Sequence, residues 1–404
     1  MSVLVTPGNL RSSLAVTRSL GRRRIGVTIA DEDNVSLAAA SRYCQGTIGV
    51  PSPARSPDAF VRAVLEEVGR GRHTVLIPAD DVTLSLISQA RSQFDGLVAL
   101  PFPEFETVQL AHDKGALAAI ASENGIPIPK TFVTRGPDDV EEALKRVGLP
   151  AVVKARSSRF PIGGEWRDGG AVRYVRTASE LTEAIRASGE RAPHPLVQEF
   201  IPGEGRGIFV LMSRGRLRAA FAHRRIREKP PSGGVSVLSE SVPLDPQLVA
   251  YAERLLETMK WHGVAMLEFK RDARNGVTKL LEINGRFWGS LQLAVDSGVD
   301  FPYLLYRLAI DGDVEPVFGY RLGVRLRWWL GDLDWLLLRL RERGSLARRG
   351  NALREFLSPD GRMTRSEVYR SDDPAPAIRE CSQYLSAAFC RAIERFRSYA
   401  RQRP

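Results

Sequence analysis

Short apolar runs alternate with amphipathic stretches over the first hundred residues. Val3 to Val5 predicts a buried strand, Pro7-Gly8-Asn9 a turn, and Leu10 to Leu20 a helix, with Leu10, Leu14, Ala15 and Leu20 in helical phase. Ile25 to Ile29 and Thr74 to Pro78 predict further strands, and Asp58 to Val68 and Val82 to Arg91 further helices, the last opened by Asp80-Asp81. Such alternation argues for a parallel sheet with helices on its faces. The turn after the first strand lacks a GxGxxG pattern, so no dinucleotide site is assigned there. Asp80 and Asp81 read most simply as helix caps, with substrate contact as the alternative.

Pro101-Phe102-Pro103 reads as a linker, after which the pattern changes. A helix opens at His112-Asp113-Lys114 and runs to about Asn124; a strand covers Thr131 to Val133, a helix Asp138 to Val147, and a strand Pro150 to Lys154. A loop carrying Gly163-Gly164 and Gly169-Gly170 follows, of the kind whose backbone N–H groups can wrap phosphates. Strand Val172 to Val175, a helix from Glu180 capped by Ser179, and strand Leu196 to Ile201 come next, with a turn at Pro202 to Gly205. Gly207 to Met212 and Leu217 to Ala222 predict a hairpin about Arg214-Gly215. His223 to Gly234 is basic, contains Pro230-Pro231 and Gly233-Gly234, and reads as a loop whose cations suit an anionic substrate.

Pro246 to Met259 is an amphipathic helix, and Gly263 to Lys270 and Val277 to Asn284 predict paired strands around Asn275-Gly276. Strand alternation puts Glu282 and Asn284 on one side, with Ile283 turned into the core and Glu268 on the neighbouring strand. Taken alone, Glu282 to Arg286 also fits a plain strand end. With Glu268 beside it, the stretch offers hard oxygen donors suited to magnesium. Beyond Gly312, Trp328, Trp329 and Trp335 lie among leucines and arginines in a predicted helix from Leu333 to Arg341, and a last helix covers Ala377 to Tyr399. Packing onto the preceding domain or a second subunit is the favoured role for this part, a membrane-surface helix the alternative.

Composition narrows the picture. At 404 residues, with 43% hydrophobic and 26% charged residues, the chain is an ordinary globular protein with room for several domains. Cys44, Cys381 and Cys390 have no metal-type spacing, and no secretory signal or membrane span is evident, which predicts a cytoplasmic protein. The net charge of +11 allows anionic partners, but no nucleic-acid-binding motif accompanies it, so nucleic acid is not expected.

The ordered segments DKGALAAIASENGIPIPKTF, LPAVVKARSS, PLVQEFIPGEG, VAMLEFKRD and LLEINGRFWGS resemble the ATP-grasp superfamily, in particular the carboxylate–amine ligases related to carbamoyl-phosphate synthase and biotin carboxylase. The resemblance covers residues 1 to about 312. It implies a mixed α/β and α+β architecture: a Rossmann-like pre-ATP-grasp domain over 1–108, an ATP-grasp domain over 109–312 with a smaller lid subdomain at about 130–197, and a mainly helical C-terminal extension over 313–404. It further implies that Lys114 and Lys154 contact ATP phosphates, that Gln198, Glu199, Phe200 and Ile201 receive the adenine, and that Glu204 binds the ribose. Glu268, Glu282 and Asn284 would hold magnesium or manganese, and Arg286, with Lys154, would stabilise the transferred phosphoryl group. His223, Arg224, Arg225, Arg227, Ser232, Gly233 and Gly234 are candidates for the second substrate.

Two departures from the family pattern stand out: the glycines after Lys154 come late, and Gly285 stands where many relatives have proline. The expectation is an ATP- and magnesium-dependent ligase joining a small carboxylate to an amine or similar nucleophile, with a homodimer and peripheral membrane contact both allowed. Its rivals are a phosphotransferase of the same fold and a basic protein that binds nucleic acid or an anionic surface.

Overall fold

The computed structural model describes residues 2–231, 233–342, 345–358 and 363–401, with side chains described as far as residue 390. Its N-terminal part is a four-stranded parallel sheet in which Ser2–Thr6 lies between Gly26–Asp31 and His73–Pro78, with Gly46–Gly49 at the edge. Val3 and Val5 pack on one face and Leu4 on the other, all three fully buried, as expected of a parallel strand covered on both sides. The edge strand Gly46–Gly49 is half exposed and carries glycine at both ends, which explains why apolar periodicity does not reveal it.

A second, antiparallel sheet has the order Thr131–Val133, Leu196–Glu199, Ala151–Lys154, Arg173–Val175, and is backed by the helices Val140–Arg146 and Ala178–Gly189. Thr177, not Ser179, caps the latter helix, in a reciprocal arrangement with Glu180. The predicted helix start at His112 is also displaced: His112 ends the helix Phe105–His112, and Asp113 caps Lys114–Glu123 by accepting from the Gly115 and Ala116 amides.

The third sheet has seven strands, in the order Thr278–Asn284, Gly263–Asp272, Gly203–Ser213, Arg216–Lys229, Val235–Ser241, Arg325–Arg327, Thr364–Ser366. One face, with Phe209, Leu211, Phe221 and Met266, packs against the N-terminal sheet's helix Arg11–Arg22 and the helices Leu291–Ser297 and Phe301–Asp311. The other, with Ile208, Val210, Leu267 and Phe269, packs against Pro246–Thr258 and Lys114–Glu123. The C-terminal part is mainly helical, yet its two three-residue strands extend this central sheet rather than forming a separate body.

Three further sequence expectations change. Gly203 to Gly205 opens an eleven-residue strand rather than a turn. His223 to Lys229 continues the strand Arg216–Lys229 rather than forming a loop. The glycine-bearing loop after Lys154 contains a hairpin, Arg159–Ile162 paired with Glu165–Asp168, whose turn is Gly163-Gly164 with both φ angles positive. No described helix is long and apolar enough to cross a membrane.

Candidate functional site

The register of the central sheet builds the site. Glu268 pairs directly with Glu282, Met266 with Asn284, and Leu267 with Ile283. Alternation therefore turns both carboxylates and the Asn284 amide to one face, while Ile283, 3% exposed, goes into the opposite core. The same row continues across the sheet: Glu268 pairs with Gly207, and Gly207 with His223. A Cβ on residue 207 would lie 3.0 Å from Phe209 Cζ and 3.4 Å from His223 Cδ2, so glycine lets these two rings pack over the row between Glu268 and His223.

Cations surround the pair. The Lys114 ammonium is 3.6 Å from Glu282 Oε2 and donates to Ser158 Oγ at 2.9 Å. Lys154 closes its strand on the facing sheet, and burial, together with the Lys114 charge, lowers its pKa to about 8 against the pull of Glu282 and Glu268. Burial pushes the Glu282 carboxyl up, but Lys114 and Lys154 outweigh it and hold the group below its usual range. Glu268 goes the other way: burial raises it, and the neighbouring Glu282 adds to the rise against Arg225, whose Nη2 lies 2.8 Å away. Two carboxylates this close, one of them raised, make a site that favours an added cation. Their oxygens and the Asn284 carbonyl are hard donors that fit magnesium. Among the described residues no group of three or more His, Cys, Asp or Glu side chains forms a metal cluster, so substrate and water oxygens would complete the shell.

Arg286 sits at the end of the same strand. Its Nη2 donates to Asn284 Oδ1 at 3.1 Å and to Asp81 Oδ2 at 3.3 Å, and its Nε lies 3.2 Å from Asp81 Oδ1. Asp81 is thereby held well below the usual carboxylate range: burial would raise it, but Arg286 and His112 prevail. Asp80 is the helix cap, accepting from the Thr83 amide, whereas Asp81 joins the N-terminal domain to the site. Helix capping accounts for both residues in the sequence; only the fold brings Asp81 to an arginine 205 positions away. Asp81, His112, Lys114, Ser157 to Arg159, Glu282 and Asn284 line one narrow cleft.

The remaining candidates divide. Gln198 is buried and its amide donates to Thr131 Oγ1, while Glu199 is engaged by Arg274 and by Lys279 at 3.0 Å. The Phe200 ring meets Tyr174 edge-on and Lys270, and Ile201 is buried, so residues 198–201 join the two sheets as a packed hinge. Glu204 does not face the acidic pair. Its parity is that of Ile208, on the opposite face, where it lines a cleft of about 280 Å³ with Arg206, Arg224 and Asp245. Residue 205, a glycine, holds the parity of Gly207.

The basic stretch is consumed within the protein. Arg224 pairs with Glu240 at 2.7 Å, and Lys229 with Asp334 at 2.5 Å. Arg227 is buried, and its Nε and Nη2 donate to Asp332 at 2.7 and 2.6 Å. Only Arg225, through Glu268 and Glu228, belongs to the acidic row. Gly233 and Gly234 close a turn in which the Gly233 amide donates to Pro230 O and Gly234 O accepts from Arg225; Ser232 lies outside the described residues. His223 is buried against Phe209, its Nδ1 is 3.4 Å from Ser290 Oγ, and its Nε2 has no partner. Burial, with Arg225 nearby, pushes its pKa down to about 3, so the ring is neutral.

Residues 191–330 match the family described as ATP-grasp in the biosynthetic pathway with Ter operon. N5-carboxyaminoimidazole ribonucleotide synthase of Vibrio parahaemolyticus is 25% identical over 41% of the chain. D-aspartate ligase of Enterococcus faecium is 22% identical over 65% of it. The aligned segments span 44% of the first relative and 65% of the second. Among solved structures, the biotin carboxylase domain of Hydrogenobacter thermophilus 2-oxoglutarate carboxylase, in complex with MgADP, ADP and bicarbonate, superposes with a TM-score of 0.64 at 15% identity, covering 80% of this chain and 73% of that one. Residues 191–330 thus match an ATP-grasp family, and the chain has the ATP-grasp fold.

Proposed function

We propose that the protein is an ATP- and magnesium-dependent ligase that activates a carboxylate as an acyl phosphate and joins it to an amine. The observation carrying this reading is the Glu268–Glu282 cross-strand pair, facing two lysines of the neighbouring elements and ending in Arg286. In this reading Lys114 and Lys154 hold the ATP phosphates, residues 198–201 hold the adenine, and Glu268, Glu282 and Asn284 hold the metal. The ribose role expected for Glu204 is dropped, because that side chain lies on the far face of the sheet. The bound metal would supply charge neutralisation at the phosphates.

A carboxylate oxygen attacks the γ-phosphorus and ADP leaves. The amine then attacks the acyl carbon, and phosphate departs with that oxygen and takes up the amine's proton. Arg286, fixed by Asp81, offers its charge where the acyl phosphate would form. Neutral His223, buried behind Phe209, does not supply a cation to the site.

The domain limits 1–108, 109–312 and 313–404 belong to the same proposal. The test is a panel of carboxylates and amines, amino acids first because one relative is a D-aspartate ligase, assayed for ADP and for joined product. ADP that requires both substrates supports the reading. ADP with a phosphorylated product and no joining favours a phosphotransferase.

Lys154 adds a pH signature. If only its charged form grips phosphate, MgADP affinity is flat below its pKa of about 8 and weakens above it, by about tenfold per pH unit at the limit. Lys154→Arg, which stays charged, should bind evenly through pH 9. Calorimetric titration at a series of pH values checks both.

A further inference from the structure

The hairpin formed by Arg159–Ile162 and Glu165–Asp168 rises from the phosphate side of the cleft and crosses to the N-terminal domain. Its foot is pinned. Ser158 Oγ accepts from Lys114 Nζ, the Lys114 amide donates to Arg156 O at 3.0 Å, and the Gly169 amide donates to Ser158 O at 3.0 Å. A Cβ on Gly169 would lie 2.5 Å from Ala155 Cβ, so the chain re-enters the foot with no space to spare. Above the foot the strands pair only with each other within a two-stranded sheet, and most of their residues are exposed. A two-stranded hairpin is marginal in water by itself, so its position depends on whatever holds its far end.

That hold is Trp166. Its amide donates to Ala54 O at 2.7 Å, and its side chain packs against the core cluster of the N-terminal domain that contains Phe60 and Val64. The pinned foot carries Ser157, Ser158 and Arg159, all lining the cleft with Lys114, Glu282 and Asn284.

We infer that Trp166 is a latch: seated on the N-terminal domain, it keeps the hairpin closed over the phosphate end of the cleft, and its release opens the cleft to nucleotide and solvent. The inference rests on the proposed ligase reading for its chemical consequence. With the latch seated, the acyl phosphate meets the amine. With it released, water attacks the acyl carbon instead, the bond from that carbon to the bridging oxygen breaks, phosphate leaves with that oxygen and a proton from the water, and the carboxylic acid is re-formed at the expense of one ATP. Trp166 is thus a positioning residue, acting through the segment it holds.

The test compares the full-length protein with Trp166→Ala and Trp166→Phe by amide hydrogen exchange over residues 159–168, alone and with MgADP. The latch predicts slow exchange at Trp166 in the parent protein, slower still with MgADP, and exchange at least tenfold faster in Trp166→Ala, with Trp166→Phe close to the parent. Equal exchange in the parent and in Trp166→Ala overturns the latch, whatever the nucleotide does. Trp166-dependent protection without any response to MgADP supports the latch and counts against the ligase reading. A second readout follows ADP released from MgATP across the carboxylate panel with no amine present. Trp166→Ala should release it at least tenfold faster than the parent, and an unchanged rate overturns the water-excluding role.

Discussion

Glu282→Gln is expected to lower turnover by about 10²- to 10³-fold, the usual loss when one fixed electrostatic contact to the reacting group is removed. The substitution keeps the shape and an oxygen near Lys114 but removes the charge that balances two cations. Lys154 loses one of the two carboxylates that raise its pKa, so the substitution also weakens phosphate binding near neutral pH. Stability should fall modestly as well, because the carboxylate that Lys114 and Lys154 hold below its usual range contributes favourable charge to the folded state, offset in part by relief of its like-charge contact with Glu268. The expected set is a slightly lower melting temperature, turnover lost far beyond what that drop explains, and loss of the melting-temperature rise that MgATP gives the parent protein. A variant that melts early and loses activity in proportion would assign Glu282 a structural role.

Asp332→Ala is expected to cost about 3–5 kcal/mol of folding stability, the range for breaking a buried ion pair from one side. Asp332 is fully buried and accepts from Arg227 and from Arg327 Nε at 2.7 Å, so one carboxylate serves two buried guanidinium groups. Arg227 stands on the central sheet, while Asp332 is in the helix Trp329–Arg341, and Arg227 also lies over the Trp335 ring. Its Nη1 reaches Glu355 O in the next helix. Loss of Asp332 should therefore loosen the C-terminal helices from the sheet. Denaturant titration should show the drop, with Asp332→Asn falling between parent and alanine because it retains an acceptor.

The same ion pairs explain what sequence reading missed. Glu268, Glu282, Asn284 and Ile283 were legible because strand alternation and one tight turn at Asn275-Gly276 fix their relation within twenty residues. The basic stretch was not, because Asp332 and Asp334, the partners of Arg227 and Lys229, lie 105 positions away, and two prolines with two glycines at its end imitate a loop. Glu204 was misplaced for a smaller reason. Its strand begins at Gly203 rather than at Gly207, where the sequence pattern starts it, and parity then decides the face. Asp81 was hidden by Asp80, whose capping role offered a sufficient local account of both.

The C-terminal segment is joined to the N-terminal domain by contacts of the same long-range kind. Arg18, 1% exposed, donates from Nε to Asp373 at 2.8 Å and from its Nη atoms to the carbonyls of Glu367, Val368 and Asp373. Neither side of this joint has a local signature, since a lone arginine in a helix reads as solvated.

The central claim, an acyl phosphate made at the Glu268–Glu282 site, is tested most directly by oxygen transfer. The carboxylate substrate found by the panel is labelled with oxygen-18 in both carboxyl positions, turned over with MgATP and the amine, and the released phosphate is analysed by mass spectrometry. The account predicts one labelled oxygen in each phosphate formed, carried there when the acyl carbon–oxygen bond breaks. Joined product accompanied by unlabelled phosphate would contradict it.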